Sequence, residues 1–249
     1  MTFKPLFWPT VFTIPALIIL LGLGTWQVQR LHMKTELLAQ IEAKFDMSAG
    51  DLPAPDTWQN LKRETWNYTP VRAKGVFDHA HEFHVFTHLS DSKGRFTQAG
   101  YFVLTPFKLA GTDRSILVSR GFVPQNLKNA DLRRAGQTEG LVALEGILRF
   151  SERPNSFTPE PDLKKNIWYG RDSAKMAGQL IEKKLPPLFI DLKTSEPKTS
   201  IPQAQAKKPI IKNNHLSYAI TWYGIALGLI GVYILFHRKP NTRHKQKKK

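Results

Sequence analysis

The chain has 249 residues, a formal charge of +16 and no cysteine. The missing thiols exclude a disulfide scaffold, an iron–sulfur centre, a thiolate zinc site, a catalytic thiol and a cysteine-based copper carrier. Two stretches of roughly twenty residues each are apolar enough for a bilayer, and the ~185 residues between them can form one domain with its own core.

The first apolar block runs from Leu6 to Val28, between Lys4 and Arg30. It is longer than the h-region of a signal peptide and runs into Thr25-Trp26-Gln27, a poor cleavage site, so it reads as an uncleaved anchor. No Arg- and Ser-rich transit segment precedes it, which favours a bacterial plasma membrane over an imported organellar protein. Strong helix formers continue to about residue 45, with Leu31, Leu38 and Ile41 as a partial apolar face. Pro53 and Pro55 mark a break. Strands are predicted over Tyr68–Phe77, His81–Leu89, Ala99–Leu109, Arg114–Val123, Leu141–Phe150 and Pro187–Leu192, separated by turn residues such as Lys93-Gly94, Gly111-Thr112-Asp113 and Pro124. Short helices are predicted over Leu127–Arg134 and Asp172–Lys184. The Pro-, Ser-, Gln- and Lys-rich stretch 194–212 reads as a linker. A second apolar block follows, Leu216 to Phe236, flanked by Lys212 and Arg238.

The fold class is therefore an integral membrane α+β protein. Two transmembrane helices (6–28 and 213–236) flank a small antiparallel β-sheet or barrel-like extracytoplasmic domain (58–193) with short helices, and residues 237–249 form a basic tail. The charge distribution sets the topology. From Arg238 to Lys249 there are seven Lys/Arg and no acid, while 28 basic residues share the middle segment with all 20 acids and leave it only +8. Positive-inside reasoning puts both termini in the cytoplasm and the middle in the periplasm; Arg30 and Lys34 oppose this and are outnumbered. The basic excess is then partly a topology signal, and nucleic acid is not expected as a partner.

The middle segment has no phosphate loop, no Gly-x-Ser-x-Gly and no His-Glu-x-x-His, and Ser119 before Arg120-Gly121 has no recognisable base, so no enzyme is expected. The cluster His79, His81, His84 and His88 would divide by parity on a strand, so that only pairs converge where a closed zinc site needs about four ligands.

The start of the second span, Lys212-Asn213-Asn214-His215-Leu216-Ser217-Tyr218, says more. The asparagines suit an N-cap, which puts His215 in the first turn at the outer bilayer edge. Tyr218, Ala219 and Trp222 follow on its face. An imidazole there suits an axial haem ligand, or it snorkels at the headgroups. On the first span, Trp26 and Arg30 stand at i and i+4. They can form a cation–π pair, Arg30 can hold a propionate or lipid phosphate, or both serve as an interfacial anchor. Gly224 and Gly228, with Gly22 and Gly24, permit close helix approach, to each other or to a partner.

These motifs together resemble the Surfeit locus protein 1 family of cytochrome c oxidase assembly factors. The resemblance rests on Leu23-Gly24-Thr25-Trp26-Gln27-Val28-Gln29-Arg30-Leu31 with Lys34, on Gly100-Tyr101-Phe102-Val103-Leu104-Thr105-Pro106, and on Ile116-Leu117-Val118-Ser119-Arg120-Gly121-Phe122-Val123-Pro124. It extends through Pro154 to Asp172, including Trp168 and Arg171, to Asn213-Asn214-His215-Leu216-Ser217-Tyr218-Ala219 and Thr221-Trp222-Tyr223. Met33 and Ser217 depart from the family pattern, which has an aromatic and commonly a glutamine there. The resemblance implies a membrane-bound factor that binds haem a and helps deliver it to the catalytic subunit of a haem–copper oxidase, working with haem a synthase at the lipid bilayer. His215 would be the axial ligand, with Trp26, Arg30, Tyr218 and Trp222 as possible site lining. A cofactor-free scaffold that stabilises an oxidase intermediate is the alternative.

Overall fold

A computed structural model describes all residues except 1, 4, 90–97, 153, 181–184, 196–199, 205, 207–212 and 240–249. The Lys93-Gly94 turn, Lys212, residues 181–184 and nearly all of the basic tail lie outside the described residues; the helix expected over Asp172–Lys184 is shorter, Ser173–Ala177. In chain order the elements begin with β1 (Thr2–Phe3), α1 (Phe7–Phe45), β2 (Gly50–Asp51), α2 (Arg63–Trp66), β3 (Pro70–Phe77) and β4 (Phe83–His88). There follow β5 (Ala99–Leu109), β6 (Ser115–Pro124), β7 (Val142–Phe150), β8 (Ile167–Trp168) and α3 (Ser173–Ala177). The chain closes with β9 (Leu188–Leu192), α4 (His215–His237) and β10 (Arg238–Lys239). Single turns of tighter helix stand at Trp58–Asn60, His79–His81 and Gln125–Leu127, and two more, joined across a kink at Arg133, fill Ala130–Gly136. Two compact units result, Met1–Gln40 with Ile210–Lys249, and Ile41–Pro209.

The first unit is a helical pair. α1 and α4, of 39 and 23 residues, are each long and apolar enough to cross a membrane. They run antiparallel, and polar contacts recur along the seam. Thr10 Oγ1 lies 2.7 Å from Tyr233 Oη, and Thr25 Oγ1 3.2 Å from Tyr223 Oη. Farther along, Gln27 meets His215, and Asn213 Nδ2 donates to Thr35 Oγ1 at 3.4 Å. A Cβ at position 24 would stand 2.7 Å from the Tyr223 ring, so only glycine admits the tyrosine there without displacing it. Spacings of three and four carry Gly24, Gln27 and Leu31 on α1, and His215, Ala219, Trp222 and Ala226 on α4, along one line of each helix. Ala219 and Ala226 are buried, whereas Gly224 and Gly228 have open space around them. The close approach within this unit therefore uses Gly24 and the two alanines, not the Gly-x-x-x-Gly. At the far end β1 pairs antiparallel with β10.

In the second unit the eight-stranded sheet has the order β2-β3-β7-β9-β6-β5-β4-β8, with a further β3–β5 pairing. The circuit β3–β7–β9–β6–β5 thus returns to β3 over Gly75–Phe77. The six strands read from the sequence begin and end within about two residues of β3, β4, β5, β6, β7 and β9. Their arrangement differs from the expected antiparallel one. The sheet is mixed, because β2–β3, β4–β8 and β6–β9 are parallel. The long connection from Phe150 to Leu188 lets β9 come back between β6 and β7 and lie parallel to β6, which no hairpin could do. Every residue of β6 is buried, because both of its faces meet apolar side chains. Ile116 and Val118 join the core of Val71, Phe107, Leu148 and Ile190, and Leu117 joins that of Phe83, Leu104, Trp168 and Phe189. A strand covered on both faces loses the polar alternation of a half-exposed one.

Local signals fix several ends. Asp172 caps α3, its Oδ1 accepting from the Ala174 and Lys175 N–H groups at 3.1 and 3.2 Å. Lys44, near the end of α1, donates to the Glu64 and Thr65 carbonyls at 2.5 and 2.8 Å, satisfying oxygens at the C-terminal end of α2. The stretch read as a linker begins folded. Ser195 and Ser200 are buried, and Gln203 exchanges backbone hydrogen bonds with Phe122 at 2.8 and 2.9 Å.

Candidate functional site

His215 opens α4 and is half-buried on the line that faces α1. Its Nδ1 lies 2.7 Å from Gln27 Oε1. Gln27 reaches it because Gly24, one turn earlier, brings the helices close. Trp222 is half-buried on the same line as His215, two turns along α4. Tyr218, by contrast, is 55% exposed. Trp26 and Arg30 form the cation–π pair that their spacing allowed, with the guanidinium carbon 5.5 Å from the ring centroid. Both are exposed and stand off the seam, roughly a quarter-turn of helix away from Gln27 at 3.6 residues per turn. The histidine is therefore met on α1 by Gln27, a member of the Leu23–Leu31 motif and not one of the site residues expected from the sequence. Spacing alone carried a signal: Gly24, Gln27 and Leu31 repeat at three and four, while Trp26 and Arg30 do not fall on that line.

Around His215, exposed apolar side chains such as Leu216 and Ile220 cover the outward side of α4's first turns. A neutral imidazole with one ring nitrogen engaged keeps one for a metal. The donor set fits iron in a porphyrin, for which an apolar surface beside one imidazole is the basic requirement.

The second unit holds a different cluster. Its centre is Glu82, buried with Arg120 and Arg133. Arg120 Nη1 donates to Glu82 Oε1 at 2.8 Å, and Arg133 Nη2 donates to Oε2. Gln137 Nε2 also donates to Oε1, at 3.1 Å. Arg120 further donates to the Gly136 carbonyl, to Gln137 Oε1 at 2.9 Å and to His79 Nδ1 at 3.1 Å. His79 Nε2 in turn donates to the Thr138 carbonyl at 2.8 Å. A β-bulge aims Arg120 into this cluster. Val103 pairs with Gly121 and Leu104 with Ser119, so Arg120 is the extra residue on β6. With both carboxylate oxygens filled by buried cations, Glu82 is built for cohesion rather than proton transfer. Burial alone would raise its pKa, but the His79 and Arg133 side chains and the Arg133 and Arg120 charges outweigh it and hold it at about 2.

The four histidines do not gather. His79 and His81 sit on a tight turn, and His81 Nδ1 lies 2.9 Å from Asp78 Oδ2. His84 and His88 lie on β4. Among the described residues no group of three or more His, Asp or Glu side chains is placed to hold a metal ion. His84 accepts at Nδ1 from Asn166 Nδ2 at 3.2 Å, and its buried Nε2 makes no hydrogen bond among the described residues but lies 3.8 Å from Glu82 Oε2. Burial pushes its pKa down to about 4, against the pull of Glu82 and with help from the Lys128 and Arg133 charges.

Both depressed values give the same sign. A group whose folded pKa lies below its unfolded one favours the fold above the unfolded pKa and loses that contribution as pH falls through the folded one. The Ile41–Pro209 unit should therefore lose on the order of 3 kcal/mol between pH 6.5 and 4 as His84 is driven to charge. Glu82 adds a further loss between about 4.5 and 2. Unfolding midpoints against pH, wild type beside His84→Phe, check this: the variant should be flat across the first window, and a matching decline in both would assign the acid sensitivity elsewhere.

Comparison with known proteins bears on the chain as a whole. A profile described as the SURF1 family matches residues 14–227. The SURF1-like protein of Monosiga brevicollis is 34% identical over 96% of this chain and 90% of its own. Surfeit locus protein 1 of Homo sapiens is 35% identical over 82% of this chain and 69% of its own. A bacterial relative, the SURF1-like protein of Rickettsia felis, is 30% identical over 88% and 92%.

Proposed function

Because this chain belongs to the SURF1 family, we propose that it is a membrane-bound assembly factor for a haem–copper oxidase, which binds haem a at His215 and assists its delivery to the catalytic subunit. The observation that carries the reading is His215 itself. It is a half-buried imidazole at the first turn of α4, with one ring nitrogen held by α1 and an apolar helix face beside it. In this reading α1 and α4 span a bacterial plasma membrane, the Ile41–Pro209 unit is periplasmic and both termini are cytoplasmic. Haem a, when bound, would supply the iron centre; His215 would hold it, Trp222 and the apolar side chains of α4 would exclude water, and Arg30 would be the cation available to a propionate. A single ligand at a lipid-facing seam holds its cargo without enclosing it, so the cargo can pass from haem a synthase to the oxidase.

The test is the reduced-minus-oxidised spectrum of protein purified in detergent from cells that make haem a. His215→Ala should lower haem per protein by at least the roughly tenfold that even an outer partner costs at metal sites. Equal haem in both proteins would sink the ligand assignment.

One observation favours a second reading. Among the described residues nothing lies within 4 Å of where a Cβ would stand at Gly224 or Gly228, which suits close contact with a helix of another protein. The chain would then be a cofactor-free scaffold for an oxidase intermediate. Co-purification of the oxidase subunit without haem would support it.

A further inference from the structure

We propose that Gln27 is the positioning residue that makes His215 a ligand: it fixes the imidazole as the Nδ1–H tautomer, leaving the Nε2 lone pair for the incoming iron. The inference deepens the reading of His215 as the haem ligand and rests on it for the iron, but the tautomer itself does not depend on any bound group.

The atoms decide the direction of the bond. The partner of His215 Nδ1 is Gln27 Oε1, at 2.7 Å. An amide oxygen only accepts, so the proton must sit on Nδ1, and a neutral imidazole with Nδ1 protonated bears its lone pair on Nε2. Had the amide NH2 faced the ring, the proton would move to Nε2 and the histidine could not ligate through that atom. The contact is also held in place. Gln27 is on α1 one turn beyond Gly24, whose missing Cβ admits the Tyr223 ring, and Thr25 Oγ1 meets the same tyrosine at 3.2 Å. On the other side Asn213, two residues before His215, donates to Thr35. Helix contacts on both sides therefore fix the height of Gln27 against His215. In an apolar surround an unmade bond to either group is costly, so the pair also limits rotation of the ring.

The choice of glutamine sets how strongly His215 binds. A carboxylate in its place would make a charge-assisted bond and a more basic, tighter ligand. An aliphatic residue would leave Nδ1–H unpartnered and the tautomer unfixed. A neutral amide lies between, and a carrier that must also release its cargo needs that middle strength.

The experiment uses the full chain in detergent micelles, without haem, with its histidine ring nitrogens labelled with nitrogen-15. At pH about 8, where an ordinary imidazole is neutral, the His215 signals are identified by their loss in His215→Ala. We expect a protonated Nδ1 and a bare Nε2 in the wild type and in Gln27→Glu, and a mixture of tautomers in Gln27→Leu. Haemin titration and the Fe(II)–histidine stretching frequency follow on the same proteins. Affinity and stretching frequency should both rise in the order Leu, Gln, Glu, with steps of about tenfold in affinity. A protonated Nε2 in the wild type, or a tautomer unchanged in Gln27→Leu, overturns the inference. If the tautomer behaves as expected and no variant binds haemin, the haem reading fails while the positioning role stands. If haemin binds through His215 with equal affinity and stretching frequency in all three, the haem reading stands and Gln27 is a packing residue. Circular dichroism of each variant, with Gln27→Glu as the near-isosteric one, separates these outcomes from misfolding.

Discussion

Glu82→Gln should destabilise the Ile41–Pro209 unit by about 3–5 kcal/mol, the usual cost of stripping one partner from a buried ion pair. The substitution keeps the shape and removes only the charge. It leaves the Arg120 and Arg133 guanidiniums buried with no carboxylate between them, and their mutual repulsion is no longer offset. In a unit of this size the loss should lower the unfolding temperature by about 10 °C or more. The measurement is thermal unfolding of the full chain in detergent, followed by hydrogen exchange of the β4 and β6 amides. A loss below about 1 kcal/mol would show that water reaches the cluster and screens it, as it does for exposed pairs. Breaking the comparison pair Lys108–Asp113, whose Asp113 is almost fully exposed, should leave the unfolding temperature essentially unchanged.

Gly121→Ala should be nearly as damaging, for a backbone reason. Gly121 has φ +129, a conformation that side-chain-bearing residues rarely adopt. A Cβ there would also stand 1.9 Å from the Gln203 carbonyl oxygen, so the 201–203 segment would have to leave. The strain costs about 1–3 kcal/mol, and the two Phe122–Gln203 backbone hydrogen bonds add about 1 kcal/mol each. The bulge that aims Arg120 at Glu82 depends on the same glycine, so part of the loss should overlap with that of Glu82→Gln, and the double variant should be less than additive. Gly111→Ala is the control. Its φ is +72, but nothing lies near its Cβ, so its cost should stay near 1 kcal/mol. Proteolysis mapped by mass spectrometry should show Gly121→Ala cut first near Gln203. Cutting spread evenly over the unit would mean that the return segment is not what the glycine secures.

The family resemblance read from Ile116 to Pro124 acquires a structural cause in this light. In sequence alone, Ser119-Arg120-Gly121 offers a serine with no recognisable base. It is the bulge of β6: the residue after the arginine must be glycine, and the arginine is the buried partner of Glu82. The functional reading of that stretch gains nothing from Ser119. Similarly, the histidine cluster had a parity argument against four-fold convergence, and the structure spreads its members over a turn and a strand, with His79 drawn into the Glu82 network.

Some features were determined by local chemistry and could be read in order along the chain. Apolar runs of fixed length marked α1 and α4, and turn residues between β-rich runs marked β3 to β7 and β9 to within about two residues. The N-cap at Asp172 also follows from neighbours in sequence; His215 does start α4, but Asn214 before it makes no side-chain capping hydrogen bond among the described residues. Other features depend on residues far apart, and no local pattern encodes them. The parallel insertion of β9 between β6 and β7 is set by which apolar faces can be covered together, not by the strand's own five residues. The pairing of Gln203 with Phe122 of β6 depends on a glycine more than eighty positions earlier. The charge cluster joins Glu82, Arg120 and Arg133 from three separate stretches of the chain. Gln27 meets His215 across 188 positions because two helices pack at a tyrosine and a missing Cβ. Periodicity told which residues each helix could offer, and only the packing of one against the other decided which of them touch.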